Sequence, residues 1–308
     1  MKISHIGGLI AAAGKRKAAP LLQVGQISII KRIVITFQQA GIFPIVVVTG
    51  AEEDEVKYQL SKYGVIFVQD ENCEYSELFD SIKIGLNYLR GKCDRVFFTP
   101  VNAPMFMPGT LLQLMKADGP IIVPSYQGRS GHPILFSDAI IPAVCSFNGS
   151  GGLRSAIASL DNVRQFVPVE DCGVLMTVHN IDQLNQRLAQ HSHALLHPTL
   201  DISLRKERSF FNPRVKLLLY LIMDTCSVRK ACDKMALSYG KAWNMLNELE
   251  TEIGYPVVER KQGGSRGGAT RLTARGLKFL KTWQQFEDRV FLYCQTEFNA
   301  LFWAQDIL

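Results

Sequence analysis

Residues 212–250 read NPRVKLLLYLIMDTCSVRKACDKMALSYGKAWNMLNELE, and this stretch decides how the last third of the chain folds. Apolar residues recur at helical spacing from Pro213 to Met223, and proline suits a first turn, where its missing N–H leaves no helical bond unmade. Thr225 or Ser227 can cap a short second helix over Val228–Met235. Leu237 then lies in a turn, and Ser238 can cap a third helix running from Tyr239 to about Glu252. Two helices joined by so short a turn form a helix-turn-helix. Small Ala231 and Ala242 let the pair cross closely, while Leu246, Leu249 and Ile253 continue the buried face. The opposite face carries Tyr239, Lys241, Asn244 and Glu248. In such motifs the N-terminal part of the second helix of the pair enters the major groove of double-stranded DNA. Ser238, Tyr239, Lys241 and Asn244 are therefore the expected contacts, with Lys reaching guanine or phosphate and Asn pairing adenine.

Outward from this motif, Val257 and Val258 lead into RKQGGSRGGATRLT (260–273), which reads as a strand, a glycine-rich tip and a return strand. Glycines permit close approach to a nucleic-acid backbone, and Arg260, Lys261, Arg266 and Arg271 supply charge for phosphates. A basic hairpin soon after a helix-turn-helix is a wing. From Thr273 to Leu308 the chain reads as one long helix with a stripe of Leu277, Leu280, Trp283, Phe286, Val290, Tyr293, Phe298 and Leu301. A small winged helix cannot cover a stripe of that length. It is expected to pair two copies into a homodimer that reads paired half-sites, or else to pack on the N-terminal domain.

Charge supports this division. The whole chain of 308 residues has a formal net charge of +6, but residues 1–199 carry 17 Lys+Arg against 16 Asp+Glu, and residues 200–308 carry 17 against 12. The excess sits where a polyanion partner is expected. No apolar run approaches the roughly 18 residues of a membrane span. The short apolar stretch Leu9–Ala13 is followed, not preceded, by its basic cluster, which fits a buried first strand better than a secretion signal. Seven scattered cysteines without metal-ligand spacing fit reduced thiols in a cytoplasmic protein.

Residues 1–190 alternate apolar runs with amphipathic stretches. Strands are expected at 6–12, 45–49, 65–69, 95–99, 121–124, 133–136 and 165–169, with 173–178 extended, and helices near 26–40, 52–62, 76–90 and 181–190. This alternation implies an α/β fold with a doubly wound, mostly parallel sheet, followed by the α+β winged domain with its long C-terminal helix. HSHALLHPTLD (191–201) is polar and carries a proline, so 191–204 reads as a solvated linker and its three histidines as no metal site. The winged domain then spans 205–308.

The order SYGKAW, NELE, VVERKQGGSRGGATRLTARG resembles the DNA-binding domain of the ModE family of molybdate-responsive regulators over about residues 205–280. That domain is N-terminal in ModE and C-terminal here, and the molybdate-binding sensor has no counterpart, so the resemblance does not imply direct molybdate sensing. LIAAAGKRKAAPLLQVGQISIIKRIV (9–34) resembles the opening of the MobA and MocA-like nucleotidyltransferases of molybdenum cofactor metabolism. FFTPVNAPMFMPGTLLQLM (97–115), IIVPSYQGRSGHPILFS (121–137), GSGGLRSAI (149–157) and GVLMTVHNIDQL (173–184) follow in that family's order. The resemblance implies a nucleotide-diphospho-sugar-transferase-like sheet.

The family's metal positions are altered. Nucleotidyl transfer uses Mg²⁺ held by carboxylates, whereas the family's Asp before Pro corresponds to Asn102 and its Asp-x-Asp to Thr177 and His179. The phosphate loop is shorter and has Pro20 in place of a Lys, leaving Arg16 with Lys15 or Lys17. Each lost electrostatic group costs about 2.7–4 kcal/mol of transition-state stabilisation. Catalytic residues of the family type are therefore not expected. Gly14, Lys15, Arg16, Ser81, Arg129, Gly131, His132 and Pro133 match its nucleotide or pterin site, so a CTP, GTP or pterin effector is the expected ligand. The expected function is a DNA-binding regulator whose degenerate transferase domain senses a ligand. The rival is an active CTP- or GTP-dependent molybdenum cofactor nucleotidyltransferase carrying a regulatory DNA-binding domain, with metal ligands such as Asp94, Asp171 or Asp182.

Overall fold

A computed structural model describes residues 6–13, 20–160, 163–179, 181–261 and 269–303, with the backbone alone at 181–183, 261 and 303. The chain divides into two compact units, Met1–Leu196 and His197–Leu308.

In the first unit, alternating apolar and amphipathic segments form β1 (Ile6–Ala11), a two-residue hairpin of β2 (Gln23–Val24) and β3 (Ile27–Ser28), α1 (Ile29–Gln39), β4 (Ile45–Thr49), α2 (Glu53–Leu60), β5 (Ile66–Gln69), α3 (Leu78–Leu89) and β6 (Arg95–Pro100). There follow α4 (Pro108–Met115), β7 (Ile121–Tyr126), β8 (Arg129–Ser130), β9 (Ile134–Ser137), α5 (Ile141–Ser146), α6 (Gly152–Ala158), β10 (Arg164–Pro168) and α7 (Ile181–Ala194). The sheet order is β10-β7-β9-β6-β1-β4-β5, with β8 folded against β7. β9 runs antiparallel to both β6 and β7, while the pairs β1–β4, β1–β6, β4–β5 and β7–β10 are parallel. The expected mostly parallel α/β sheet is present. Strands β1 and β4 are buried almost throughout, as a sheet covered on both faces requires. Phe37 of α1 packs its ring against Phe97 of β6 and Phe106, at 6.4 and 5.7 Å between ring centres.

Two expectations change here. Residues 173–178 are not a strand: Asp171 accepts a hydrogen bond from Gly173 N at 2.8 Å and initiates a 3₁₀ turn over Cys172–Leu175. Nor does a solvated linker start at 191, because α7 continues to Ala194 and His191 is wholly buried. Leu184, Leu188 and His191 recur at helical spacing, so the apolar face outlasts the polar composition that marked a boundary. His191 Nδ1 accepts from Arg32 Nη1 at 3.1 Å, since a guanidinium only donates, and Nε2 donates to the Phe106 carbonyl at 3.1 Å. Arg32 also donates to Val24 O at 2.7 Å. Burial and the nearby Arg32 charge push the His191 pKa down to about 4, so the ring is neutral.

The second unit contains a hairpin of β11 (Leu204–Arg205) and β12 (Ser209–Phe211), then α8 (Pro213–Thr225), α9 (Val228–Lys234), α10 (Tyr239–Ile253), β13 (Val258–Lys261), β14 (Ala269–Leu272) and α11 (Ala274–Phe298). A wider turn, Asn299–Trp303, follows α11, so the regular helix ends at Phe298. Phe211 anchors this core, with Phe279 and Trp283 each meeting its ring edge-to-face at 4.8 Å.

Candidate functional site

The helix-turn-helix is set by local hydrogen bonds. Asn212 Oδ1 accepts from Arg214 N and Val215 N at 3.0 and 3.2 Å, capping α8 ahead of Pro213. Of the two candidate caps for α9, Ser227 takes the position and accepts from Lys230 N at 3.3 Å; Thr225 belongs to the last turn of α8 and donates to Leu221 O. Ser238 sits at the cap of α10 but its side chain makes no capping bond, which corrects the expected role and leaves its exposed hydroxyl free. Tyr239, Lys241 and Asn244 project into solvent from the first turns of α10, while Ala242, Leu246 and Leu249 are buried.

A ladder of rings and cations runs along this surface. The Arg229 guanidinium of α9 lies 5.7 Å from the ring centre of Tyr239, Tyr239 meets Trp243 edge-to-face at 6.0 Å, and Arg260 of β13 stacks 3.7 Å over Trp243. Arg260 therefore ties the wing to the recognition helix. The β13–β14 register pairs Arg260 with Thr270 and Glu259 with Arg271. Successive strand residues face opposite ways, so Arg260 and Arg271 occupy opposite faces of the wing and not one phosphate-facing set. Arg266 and the side chain of Lys261 lie outside the described residues. Glu250 Oε1 accepts from Val257 N and Val258 N, at 2.7 and 3.0 Å, and fixes where the wing leaves α10. The roles of Arg229, Trp243 and Glu250 are not visible in the sequence pattern.

In the first unit a cavity of about 790 Å³ opens among α3, the β7–β9 segment, α6 and β10. Gly131 and His132 line it. A Cβ on Gly131 would stand 2.2 Å from Val174 O, so only glycine lets the backbone pass there. His132 N donates to that same Val174 O at 2.9 Å. The His132 ring meets Phe98 edge-to-face at 5.7 Å, its Nδ1 is buried without a partner, and desolvation pushes its pKa down to about 4. It is neutral and adds no charge to the cavity. Ser81 is not brought to the cavity: it is fully buried, and its hydroxyl lies 2.7 Å from Asp70 Oδ2. Gly14, Lys15, Arg16 and Lys17 lie outside the described residues.

Residues 12–163 match the family model of the MobA-like NTP transferase domain, and residues 217–277 match that of the bacterial regulatory helix-turn-helix protein, lysR family. The chain joins an NTP transferase domain to a regulatory helix-turn-helix. The chain is 33% identical over 76 residues to the transcriptional regulator ModE of Yersinia pestis, covering 25% of this chain and 29% of that protein. It is 30% identical over 95 residues to the molybdenum transport protein ModE of Herbaspirillum seropedicae, covering 31% and 34%. The chain thus spans about a third of the curated relatives it matches. Among solved structures, the 4-diphosphocytidyl-2C-methyl-D-erythritol synthase of Anaerococcus prevotii aligns with TM-score 0.52 at 17% identity, covering 60% of this chain and 96% of its own. A nucleotidyl transferase from Methanothermobacter aligns with TM-score 0.52 at 20% identity, covering 62% and 98%. These two establish the fold of the first unit.

Within the first unit, Val178 N donates to Asn102 O at 2.9 Å. That bond brings the segment holding Thr177 and His179 beside Asn102, though 75 residues separate Asn102 from Thr177. The three positions offer an amide, a hydroxyl and an imidazole. None supplies the negative charge a hard divalent cation takes from carboxylates, so this donor set does not fit Mg²⁺. Asp171 is committed elsewhere: besides Gly173 N it accepts from Met107 N and Thr110 Oγ1, both at 2.7 Å. Asp94 and Asp171 do not line the cavity, and the Asp182 side chain lies outside the described residues. No helix among the described residues is long and apolar enough to cross a membrane.

Proposed function

We propose that this protein is a ligand-responsive transcriptional regulator in which the NTP transferase domain has exchanged catalysis for sensing. The observation that carries this reading is the juxtaposition of Asn102 with Thr177 and His179, without a carboxylate, in a chain that also bears an exposed recognition helix. The ModE relatives support a link to molybdate-related regulation, and the NTP transferase domain supports a nucleotide or pterin as the effector. Along α11 Leu292 and Tyr293 are about two-thirds exposed and Phe286 about half, and Leu301 in the turn that follows is also half exposed. We assign this stripe to a homodimer contact that places two recognition helices on paired half-sites.

Calorimetric titration of CTP and GTP, with and without Mg²⁺, tests the sensor reading, followed by operator binding with each bound effector. Metal-independent binding that changes DNA affinity supports it. Binding that requires Mg²⁺, accompanied by turnover, would establish the enzyme instead. Sedimentation of the full chain should give a dimer, and Leu292→Glu with Tyr293→Glu a monomer; a monomeric wild type refutes the α11 assignment.

A further inference from the structure

The last turn of α7 ties separate parts of the first unit together. Arg32, buried on α1, donates to Val24 O of the β2–β3 hairpin at 2.7 Å, to His191 Nδ1 at 3.1 Å and to Ser192 Oγ at 3.4 Å. Gln39 of the same helix donates to Ala194 O at 3.4 Å. His191 Nε2 donates in turn to Phe106 O, in the segment between β6 and α4 that also carries Asn102. Phe106 O and Met107 N belong to one planar peptide group, and Met107 N donates to Asp171 Oδ2 at 2.7 Å. A single turn of helix thus holds α1 and the Asn102 segment, and the first unit ends just beyond it, at Leu196.

The joint contains one charge and nothing that balances it. No carboxylate among the described residues bonds Arg32 or His191, and Arg32 Nε is buried without a partner. Among the described residues, Arg32 is the one charge that acts on the ring, and the Phe106 carbonyl and Ser192 hydroxyl are the other polar groups about this pair. His193, the other titratable group of this turn, is exposed. The guanidinium is therefore met by a neutral acceptor, the lone pair on Nδ1. A proton on that nitrogen removes the acceptor and sets a second cation 3.1 Å from the first, so the contact turns from attraction to repulsion. His191 cannot leave its place without breaking both ring bonds, and the segment cannot shift at Phe106 without losing its hold on the ring.

We infer that the last turn of α7 is a latch: closed, it fastens the Asn102 segment to the boundary of the first unit, and open, it frees that segment and the end of the helix together. Such a latch is a local opening with two discrete states, distinct from unfolding of the sheet. Its effect on DNA binding rests on the sensor reading; the latch itself does not.

The test is hydrogen exchange at single amides of the full chain, at pH 7.5 and pH 5, corrected for intrinsic rate. Leu195 N and Leu196 N, bonded to His191 O and His193 O, report the helix end, and Met107 N reports the segment. Burial and the Arg32 charge hold the ring near 4 against 6.5 in water, so opening should be about thirtyfold more frequent at pH 5. All three amides should share that acceleration. Their rates should stay constant in low urea, where those of β1 and β4 rise. His191→Gln keeps an acceptor for Arg32 and a donor for Phe106 O but takes no proton, and should abolish the acceleration. His193→Gln should leave it intact. The inference is overturned if the three amides follow urea as β1 does, or if His191→Gln retains the acceleration. Acceleration at Leu195 and Leu196 without Met107 is a fraying helix end and overturns it too. If the latch responds as described but neither CTP nor GTP alters duplex affinity, the sensor reading fails and the latch stands.

Discussion

Replacing Trp243 by Leu removes the ring on which Arg260 rests while keeping every charge on the DNA-reading face. The guanidinium lies 3.7 Å from the indole centre, and Trp243 is half-buried while Arg260 is exposed. An exposed cation–π contact contributes about 0.5–1 kcal/mol and a desolvated one about 2, so a coupling of about 1 kcal/mol is expected for this pair. If the stack holds the wing in its DNA-ready position, Trp243→Leu should weaken duplex binding roughly fivefold, which is about 1 kcal/mol. The plot of affinity against salt should keep its slope, because no phosphate-facing charge is lost. Arg260→Gln should weaken binding further and reduce the slope by about one. Fluorescence anisotropy on a duplex selected by the protein from a randomised pool, repeated over a salt series, measures both quantities. Urea unfolding of the two single variants and the double variant closes the thermodynamic cycle. The reasoning is refuted by a coupling energy indistinguishable from zero, or by a Trp243→Leu variant that loses the same slope as Arg260→Gln.

Asn244→Ala should relax base preference by about 1–3 kcal/mol at one position of each half-site, read by repeating the selection, while leaving affinity for random duplex nearly unchanged. In Gly276→Ala the new Cβ would stand 2.3 Å from Val257 O, a backbone atom, so the second unit should lose about 1–3 kcal/mol. All three tryptophans (243, 283 and 303) lie in that unit, so intrinsic fluorescence during urea unfolding reports its stability directly; an unchanged midpoint would contradict the packing described. His191 keeps its pKa near 4 in the folded state against about 6.5 unfolded. Between those values the unfolded chain binds more protons, so stability is complete above pH 6.5 and falls as pH drops toward 4. The loss is about 2 kcal/mol by pH 5 for this one group. His132 acts in the same direction, so His191→Gln should remove part of the acid sensitivity measured by hydrogen exchange in the first unit; an unaltered pH profile would count against the buried neutral ring.

Elements whose signals are local were legible in the sequence. The strands β1, β4 and β6 are continuous apolar runs, and α8, α9 and α10 carry proline or cap residues within the first turn, so their limits fall within a few residues of expectation. What the sequence concealed depended on distant partners. The end of α7 looked polar because His191, Ser192 and His193 are polar residues, yet His191 is buried by Arg32, which lies 159 residues earlier. The turn at Cys172–Leu175 looked like a strand until Asp171 found Met107 N and Thr110. The four basic residues near the wing looked equivalent, and only the strand register separates Arg260 from Arg271. Ser81 matched a site motif by position, and only the packing of α3 shows that its hydroxyl meets Asp70 and the Ala13 carbonyl.

The surroundings of Asn102, Thr177 and His179 show that the backbone there is held without help from their side chains. The contact between Asn102 and Val178 is made by backbone atoms, so it is indifferent to whether position 102 carries an amide or a carboxylate. The turn beside it is fixed by the Asp171 carboxylate, and the path of the β8–β9 connection by a glycine at 131 that fits against Val174 O. None of these supports involves the side chains of Asn102, Thr177 or His179. Removing charge there also removes the repulsion that clustered carboxylates exert on one another when no cation is bound. On the function proposed above, the cost of losing carboxylates here falls on metal affinity and not on the stability of the sheet.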